Sequence, residues 1–177
     1  VYVCQITDTG GIDDKSFNQT AWNGILGAEE AWGIQTNYLE SQEVADYEKN
    51  LNAFIDEECD LIITVGFLIG DATAAAAAAN PDVNFSIVDY AYDPAIDNVI
   101  GQVFETDEAA YLAGYAAAAL TQTGKVGTFG GLPIPTVTIF MDGFAKGVAK
   151  YNEVKGTEVE VLGWDLEDPD AGLFSMS

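Results

Sequence analysis

The sequence predicts an α/β fold in which parallel sheets are wound on both faces by helices, and three observations carry that expectation. Short apolar runs alternate regularly with longer amphipathic ones, the pattern of a parallel sheet covered by helices. Two of the runs, Leu61-Ile62-Ile63-Thr64-Val65 and Phe85-Ser86-Ile87-Val88, lack clean alternation, as central strands buried on both faces should. Gly33 and Asn80-Pro81 supply stops where helices are expected to end.

Taken in order, the chain enters on Val1–Thr7, an apolar run that reads as a strand already under way. The amphipathic segment Phe17–Trp32 follows as a helix, then a strand at Gln35–Leu39 and a helix at Ala45–Glu58. Leu61–Val65 is the third strand, and the alanine-rich Asp71–Asn80 the third helix, since alanine is the best helix former. Strands at Phe85–Asp89 and Val99–Phe104 precede a second alanine-rich helix at Asp107–Thr121. Val126–Phe129, Val137–Tyr151 and Val159–Gly163 repeat the strand–helix–strand pattern.

Composition narrows the function. The 177 residues carry 29 acids against 6 basic residues, all lysine, for a formal charge of -23. Phosphates are gripped by basic clusters, so nucleic acid and anionic membrane surfaces are excluded as partners. With no histidine there is no Ser-His-Asp or Cys-His nucleophile, no HExxH zinc site and no imidazole base. A hydrophobic content of 49% excludes a disordered acidic tail. The length suits one compact domain or a pair of small lobes. No apolar run approaches the ~20 residues needed to span a bilayer. The start at Val1, with neither Met nor a basic leader, suggests a mature or trimmed N-terminus from which a signal segment has been removed.

In open α/β sheets, ligands sit beyond the carboxyl ends of the strands. The informative stretches are therefore Thr7–Phe17, Val65–Asp71, Asp89–Asp97 and the residues after Phe129. The first is a glycine-hinged loop, Thr7-Asp8-Thr9-Gly10-Gly11-Ile12-Asp13-Asp14-Lys15-Ser16, that ends in a Ser16 cap and a helix opening on Phe17-Asn18. Asp13 and Asp14 read as solvated charges or caps, without the alternating acids and terminal Glu of a calcium loop. The third strand ends on Val65-Gly66-Phe67 and the fourth on Val88-Asp89-Tyr90. Gly66 is read first as a turn glycine that lets backbone approach closely. Phe67 and Tyr90 stand where a pocket wall or a core ring would be. A carboxylate ending an apolar strand, as Asp89 does, is expensive to bury unless something binds it.

These residues resemble a known family, the basic membrane protein group of bacterial substrate-binding lipoproteins that serve ABC transporters for purine nucleosides. The likeness rests on TDTGGIDDKSFNQTAWNG at 7–24, CDLIITVGF at 59–67, FETDEAAYLAGYAAA at 104–118 and GKVGTFGGLPIPTVTIFMDGFAKGVAKYN at 124–152. It implies a two-lobed, type I periplasmic-binding-protein-like fold, each lobe a doubly wound sheet, with ligand held in the cleft between them. Residues 1–105 would form the N-terminal ligand-binding lobe and 106–177 the start of the second. Family members continue well past this length, so the chain ending at Ser177 is expected to be a fragment. The resemblance implies that Asp8, Phe17 and Asn18 line the nucleoside pocket, Phe17 stacking on the base and the polar pair reaching its edge, with Asp89 contributing from the fourth strand. Gly66 and Phe67 complete the candidate set. It further implies an extracytoplasmic receptor without cofactor or catalytic activity, partnered by an ABC permease and either periplasmic or a cell-membrane-anchored lipoprotein, touching the membrane only through a lipid anchor outside this sequence.

The residue chemistry agrees with an uncharged aromatic ligand. A purine offers a face for stacking and an edge for hydrogen bonds, and with no arginine the chain lacks the forks that grip phosphates. The competing readings are Phe17 as a helix-face core residue and Asp8 and Asn18 as local caps. An enzyme of this fold class would need an acidic pair ending the first strand or a P-loop, and neither spacing occurs. The alternative function is a truncated surface or self-assembling module that uses an exposed sheet edge.

Cys4 lies in the first strand and Cys59 opens the third, and in a sheet of order 2-1-3-4-5 those strands are neighbours. A disulfide is geometrically allowed in an oxidising compartment. Two small buried thiols are the other reading.

Overall fold

A computed structural model describes residues 1–175; Met176 and Ser177, the last two positions of the expected second lobe, lie outside the described residues. The chain divides into two compact units, Val1–Val103 and Phe104–Ser177.

The first unit is a five-stranded parallel sheet of β1 (Tyr2–Ile6), β2 (Gln35–Leu39), β3 (Leu61–Val65), β4 (Asn84–Val88) and β5 (Val99–Gln102), in the order β2-β1-β3-β4-β5. Three helices connect them: α1 (Phe17–Trp32), α2 (Asp46–Asp56) and α3 (Gly70–Ala79), the last entered through a single 3₁₀ turn at Phe67–Ile69. The strand positions and the sheet order follow the sequence reading, while β5 ends at Gln102 instead of Phe104. On one face, Cys4 and Ile6 of β1, Ile62 of β3 and Phe85 and Ile87 of β4 pack against Tyr47, Leu51 and Phe54 of α2 and Ala77 of α3. Tyr47, Leu51 and Phe54 recur at helical spacing, so α2 turns one stripe to the sheet. Cys4 and Cys59 are joined in a disulfide, with Cα atoms 6.2 Å apart, and both belong to this buried core.

The start of α1 departs from the sequence reading. The Ser16 side chain makes no cap bond. Asp14 does the work instead: its carboxylate accepts from the backbone N–H groups of Ser16 (2.8 Å), Asn18 (3.0 Å) and Gln19 (3.1 Å). Two residues further from the helix, its side chain reaches over the first turn and satisfies donors that would otherwise be orphaned. The other end closes as expected, on Gly33 in the left-handed region with its N–H on the Glu29 carbonyl.

The second unit pairs β6 (Lys125–Gly127) with β7 (Glu160–Leu162) in parallel, and packs α4 (Thr106–Leu120) on α5 (Pro135–Lys155). α5 is longer at both ends than the sequence suggested, with proline at its first position and Gly156 closing it in the left-handed region. The helices touch backbone to backbone. A side-chain carbon at Gly114 would collide with the Phe144 carbonyl, and one at Gly147 with that of Tyr111. Met141, Ala145 and Trp164 form this unit's buried cluster, and Trp164 Nε1 donates to Asp142 Oδ1 at 2.9 Å. Among the described residues no helix is long and apolar enough to cross a membrane.

Candidate functional site

The carboxyl ends of β1, β3 and β4 lie side by side in the first unit, because these strands are neighbours with Ile6 opposite Thr64 and Val65 opposite Val88. Backbone pairing carries the register one residue past each strand. Thr7 N–H donates to Leu39 O (3.0 Å), Gly66 N–H to Val88 O (3.1 Å) and Asp89 N–H to Gln102 O (2.8 Å). Asp8, Gly66-Phe67 and Asp89-Tyr90 therefore leave three neighbouring interior strands at the carboxyl end of the sheet.

Asp8 is the best-held of these groups. Its Oδ1 accepts from Asn18 Nδ2 at 2.8 Å and from the Gly10 N–H at 3.0 Å. Its Oδ2 faces Gly66, where an added Cβ would lie 2.7 Å away. Gly66 has φ of 106°, which favours glycine on its own account. One carboxylate oxygen is thus saturated by the loop, and the other is left over a residue with no side chain.

Asn18 is buried, with 1% of its surface exposed. Gln5 Nε2 donates to its carbonyl at 3.0 Å from within the sheet. Asn18 thus reaches the site through Asp8, whose carboxylate it orients. Phe17, one residue earlier, is 48% exposed at the start of α1. That exposure disposes of the core reading for Phe17.

Asp89 is half-buried with φ of 63°, unusual for a residue with a side chain. Burial pushes its carboxyl above the usual carboxylate range. Among the described residues its side chain has no hydrogen-bond or ionic partner, and the ion pairs found, Lys125–Glu160 and Lys150–Glu153, both lie in the second unit. Burial, and next the charge of Asp8, push the Tyr47 phenol up beneath the first loop. This end of the sheet thus offers hydrogen-bond acceptors without a fixed cation. Among the described residues no group of three or more carboxylates or cysteines is placed to hold a metal ion.

Phe67 supplies an apolar surface beside these acids. Its ring lies 5.1 Å from that of Tyr90, which lies 4.9 Å from Tyr92. In the second unit, the carboxyl ends of β6 and β7 border an open apolar hollow of about 580 Å³, whose lining includes Thr128, Phe129, Leu162 and Phe174.

Of the two readings of Asp14, solvated charge or cap, the cap is the one observed. Two further residues are not singled out by the sequence. Glu40 accepts from the Ile12 N–H at 2.7 Å and so anchors the first loop; its place directly after β2 is a strand-end signal that could have been read. Tyr92 falls within the strand-end stretch Asp89–Asp97, but its partner, the Gly70 carbonyl at the start of α3, leaves no mark in the sequence.

A family model described as ABC transporter substrate-binding protein PnrA-like matches residues 2–173. The chain is 36% identical over 166 residues to the ABC transporter nucleoside-binding protein BmpA of Lactococcus lactis subsp. cremoris, covering 89% of this chain and 46% of that protein. It is 39% identical over 165 residues to basic membrane protein A of Borreliella burgdorferi, covering 92% and 48%. A crystal structure of an ABC transporter system solute-binding protein from Aeropyrum pernix K1 superposes with a TM-score of 0.82 at 32% identity, over 91% of this chain and 46% of that one. The chain spans about half the length of these relatives.

Proposed function

Since the chain belongs to the Bmp family of PnrA-like ABC transporter substrate-binding proteins, a family of receptors and not of enzymes, we propose that its ligand is a purine nucleoside. The observation that carries this reading is the acceptor-rich carboxyl end of the sheet. Asp8 and Asp89 follow β1 and β4, on either side of the Gly66-Phe67 end of β3, and among the described residues neither has a cationic partner; the exposed ring of Phe17 and the half-buried ring of Phe67 supply the apolar surface. An uncharged heteroaromatic ligand brings N–H and O–H donors to such acceptors and a face to the rings. A phosphate would meet two carboxylates and no arginine. The Lactococcus lactis relative is named as a nucleoside-binding protein, which supports the same ligand class.

The receptor works outside the cytoplasmic membrane, delivers its ligand to an ABC permease, and is held to the membrane by a lipid anchor. The buried Cys4–Cys59 disulfide supports an oxidising compartment. Calorimetry on the full-length protein with inosine, guanosine and adenosine tests the assignment. Binding of at least one is expected, and Phe17→Ala should weaken it by ~1–3 kcal/mol through lost stacking and burial. Flat titrations with all three, beside a clear response to another ligand class, would overturn it.

A further inference from the structure

We propose that Tyr92 is a positioning residue for the ligand wall: its hydroxyl bond to the Gly70 carbonyl and its ring contact with Tyr90 fix where Phe67 stands, and so which ligands this end of the sheet accepts. The inference rests on the nucleoside-receptor reading for the class of ligand alone.

The backbone at Phe67 is anchored on both sides, by Gly66 N–H on Val88 O before it and by Gly70 N–H on the Phe67 carbonyl. But the 3₁₀ turn it begins is only three residues long, and its ring takes its place from its neighbours. Such turns have poorer hydrogen-bond geometry than an α-helix. The restraint comes from the loop after β4. The Tyr90 ring packs 5.1 Å from Phe67 and lies so close over Gly70 that a Cβ there would sit 2.6 Å from Tyr90 Cε2. Tyr92 packs 4.9 Å from Tyr90, and its hydroxyl donates to Gly70 O at 2.7 Å. Gly70, the first residue of α3, is thus gripped by one ring and one hydroxyl from the same loop. The 3₁₀ turn is pinned at the end opposite Gly66.

Burial, and next the neighbouring Tyr90, push the Tyr92 phenol up to about 12. It therefore stays protonated and remains a donor at any physiological pH. Because Tyr90 directly follows Asp89, the same clamp couples the aromatic wall to the Asp89 carboxylate. A change at Tyr92 is then felt by a ligand that Tyr92 does not touch.

The test is a double-mutant cycle in the full-length protein, with Tyr92→Phe and Phe67→Leu alone and together. Calorimetry would use guanosine as purine and uridine as pyrimidine ligand. Loss of one neutral hydrogen bond is expected to weaken guanosine binding roughly 3- to 10-fold, to change the guanosine-to-uridine ratio, and to have little effect once Phe67 is leucine. Hydrogen exchange by mass spectrometry supplies an arm without ligand: amides of residues 67–71 should exchange faster in Tyr92→Phe. An equal effect of Tyr92→Phe in both backgrounds, an unchanged ligand ratio, or an unchanged exchange rate overturns the proposal. If Phe67→Leu leaves guanosine affinity unaltered, the proposal falls while the receptor reading stands. If the parent protein binds no nucleoside, the receptor reading falls and the exchange arm alone decides whether the clamp exists.

Discussion

Gly66 shows how narrowly the Asp8 carboxylate is placed. Any side chain there would stand on Asp8 Oδ2 and would also have to accept a φ of 106°. Gly66→Ala is expected to cost about 1–3 kcal/mol of stability and to displace Asp8, so urea unfolding and nucleoside titration should both register the change. Asp14 and Asp89 make opposite predictions in acid. Backbone N–H groups hold the Asp14 carboxyl below its ordinary value of 3.8 despite its burial. Its contribution to stability is therefore present above that value and lost as pH falls through the folded one. Asp14→Ala should destabilise the protein at neutral pH by about 1 kcal/mol, as for a lost cap, and flatten the stability profile in acid. The Asp89 carboxyl is raised by burial, so its contribution is fullest below the ordinary value and is lost as pH rises through the folded one. Asp89→Asn should accordingly stabilise the ligand-free protein at neutral pH while weakening nucleoside binding. A variant that lost stability there would show that Asp89 is paired in solution.

At the level of elements, the strands were legible because parallel strands buried on both faces are predominantly apolar, as Ile62 and Val65 in β3 and Phe85 and Ile87 in β4 show, while the buried Thr64 and Ser86 between them spend their hydroxyls on backbone carbonyls. Helix length and capping were less so. Ser16 and Asp14 are both good cap residues, and only the backbone path decides that Asp14 reaches the open N–H groups. Gly66 is legible as a turn glycine and takes a φ of 106°, but the 3₁₀ form of the turn over Phe67–Ile69 that follows it was not. The site divides the same way. Asp8 and Asp89 could be found from strand ends, whereas the burial of Asn18 behind Asp8 depends on how the first loop folds over it. In the second unit, α4 and α5 give a sharp test of packing against propensity. Gly→Ala in an exposed helix gains about 1 kcal/mol. At Gly114 or Gly147 the new methyl would enter the backbone of the facing helix, and Gly114→Ala should destabilise the second unit by roughly 1–3 kcal/mol, as overpacking does. Thermal unfolding followed by circular dichroism would read the sign directly.

For the molecule as a whole, the charge of -23 excludes partners more than it selects them, and most of the acids are surface groups. The disulfide acts on a larger scale. It closes a stretch with a sequence separation of 55, for which chain entropy predicts about 4 kcal/mol of stabilisation. Reduction, or Cys4→Ala with Cys59→Ala, should lower the unfolding midpoint of the first unit correspondingly; an unchanged midpoint would mean that the bridge carries no such weight. The same bridge governs how the protein answers a protease. Lys15 and Lys49 are the only basic side chains in the first 103 residues, and both lie between the two cysteines. Lys15 is exposed on the loop before α1, while Lys49 is inside a helix, so trypsin meets the folded unit at Lys15 first. A cut there severs the chain beside the candidate site, yet the short piece bearing Asp8 stays tethered through Cys4. On a non-reducing gel the nicked receptor would migrate as one band, and only reductant would release the fragment.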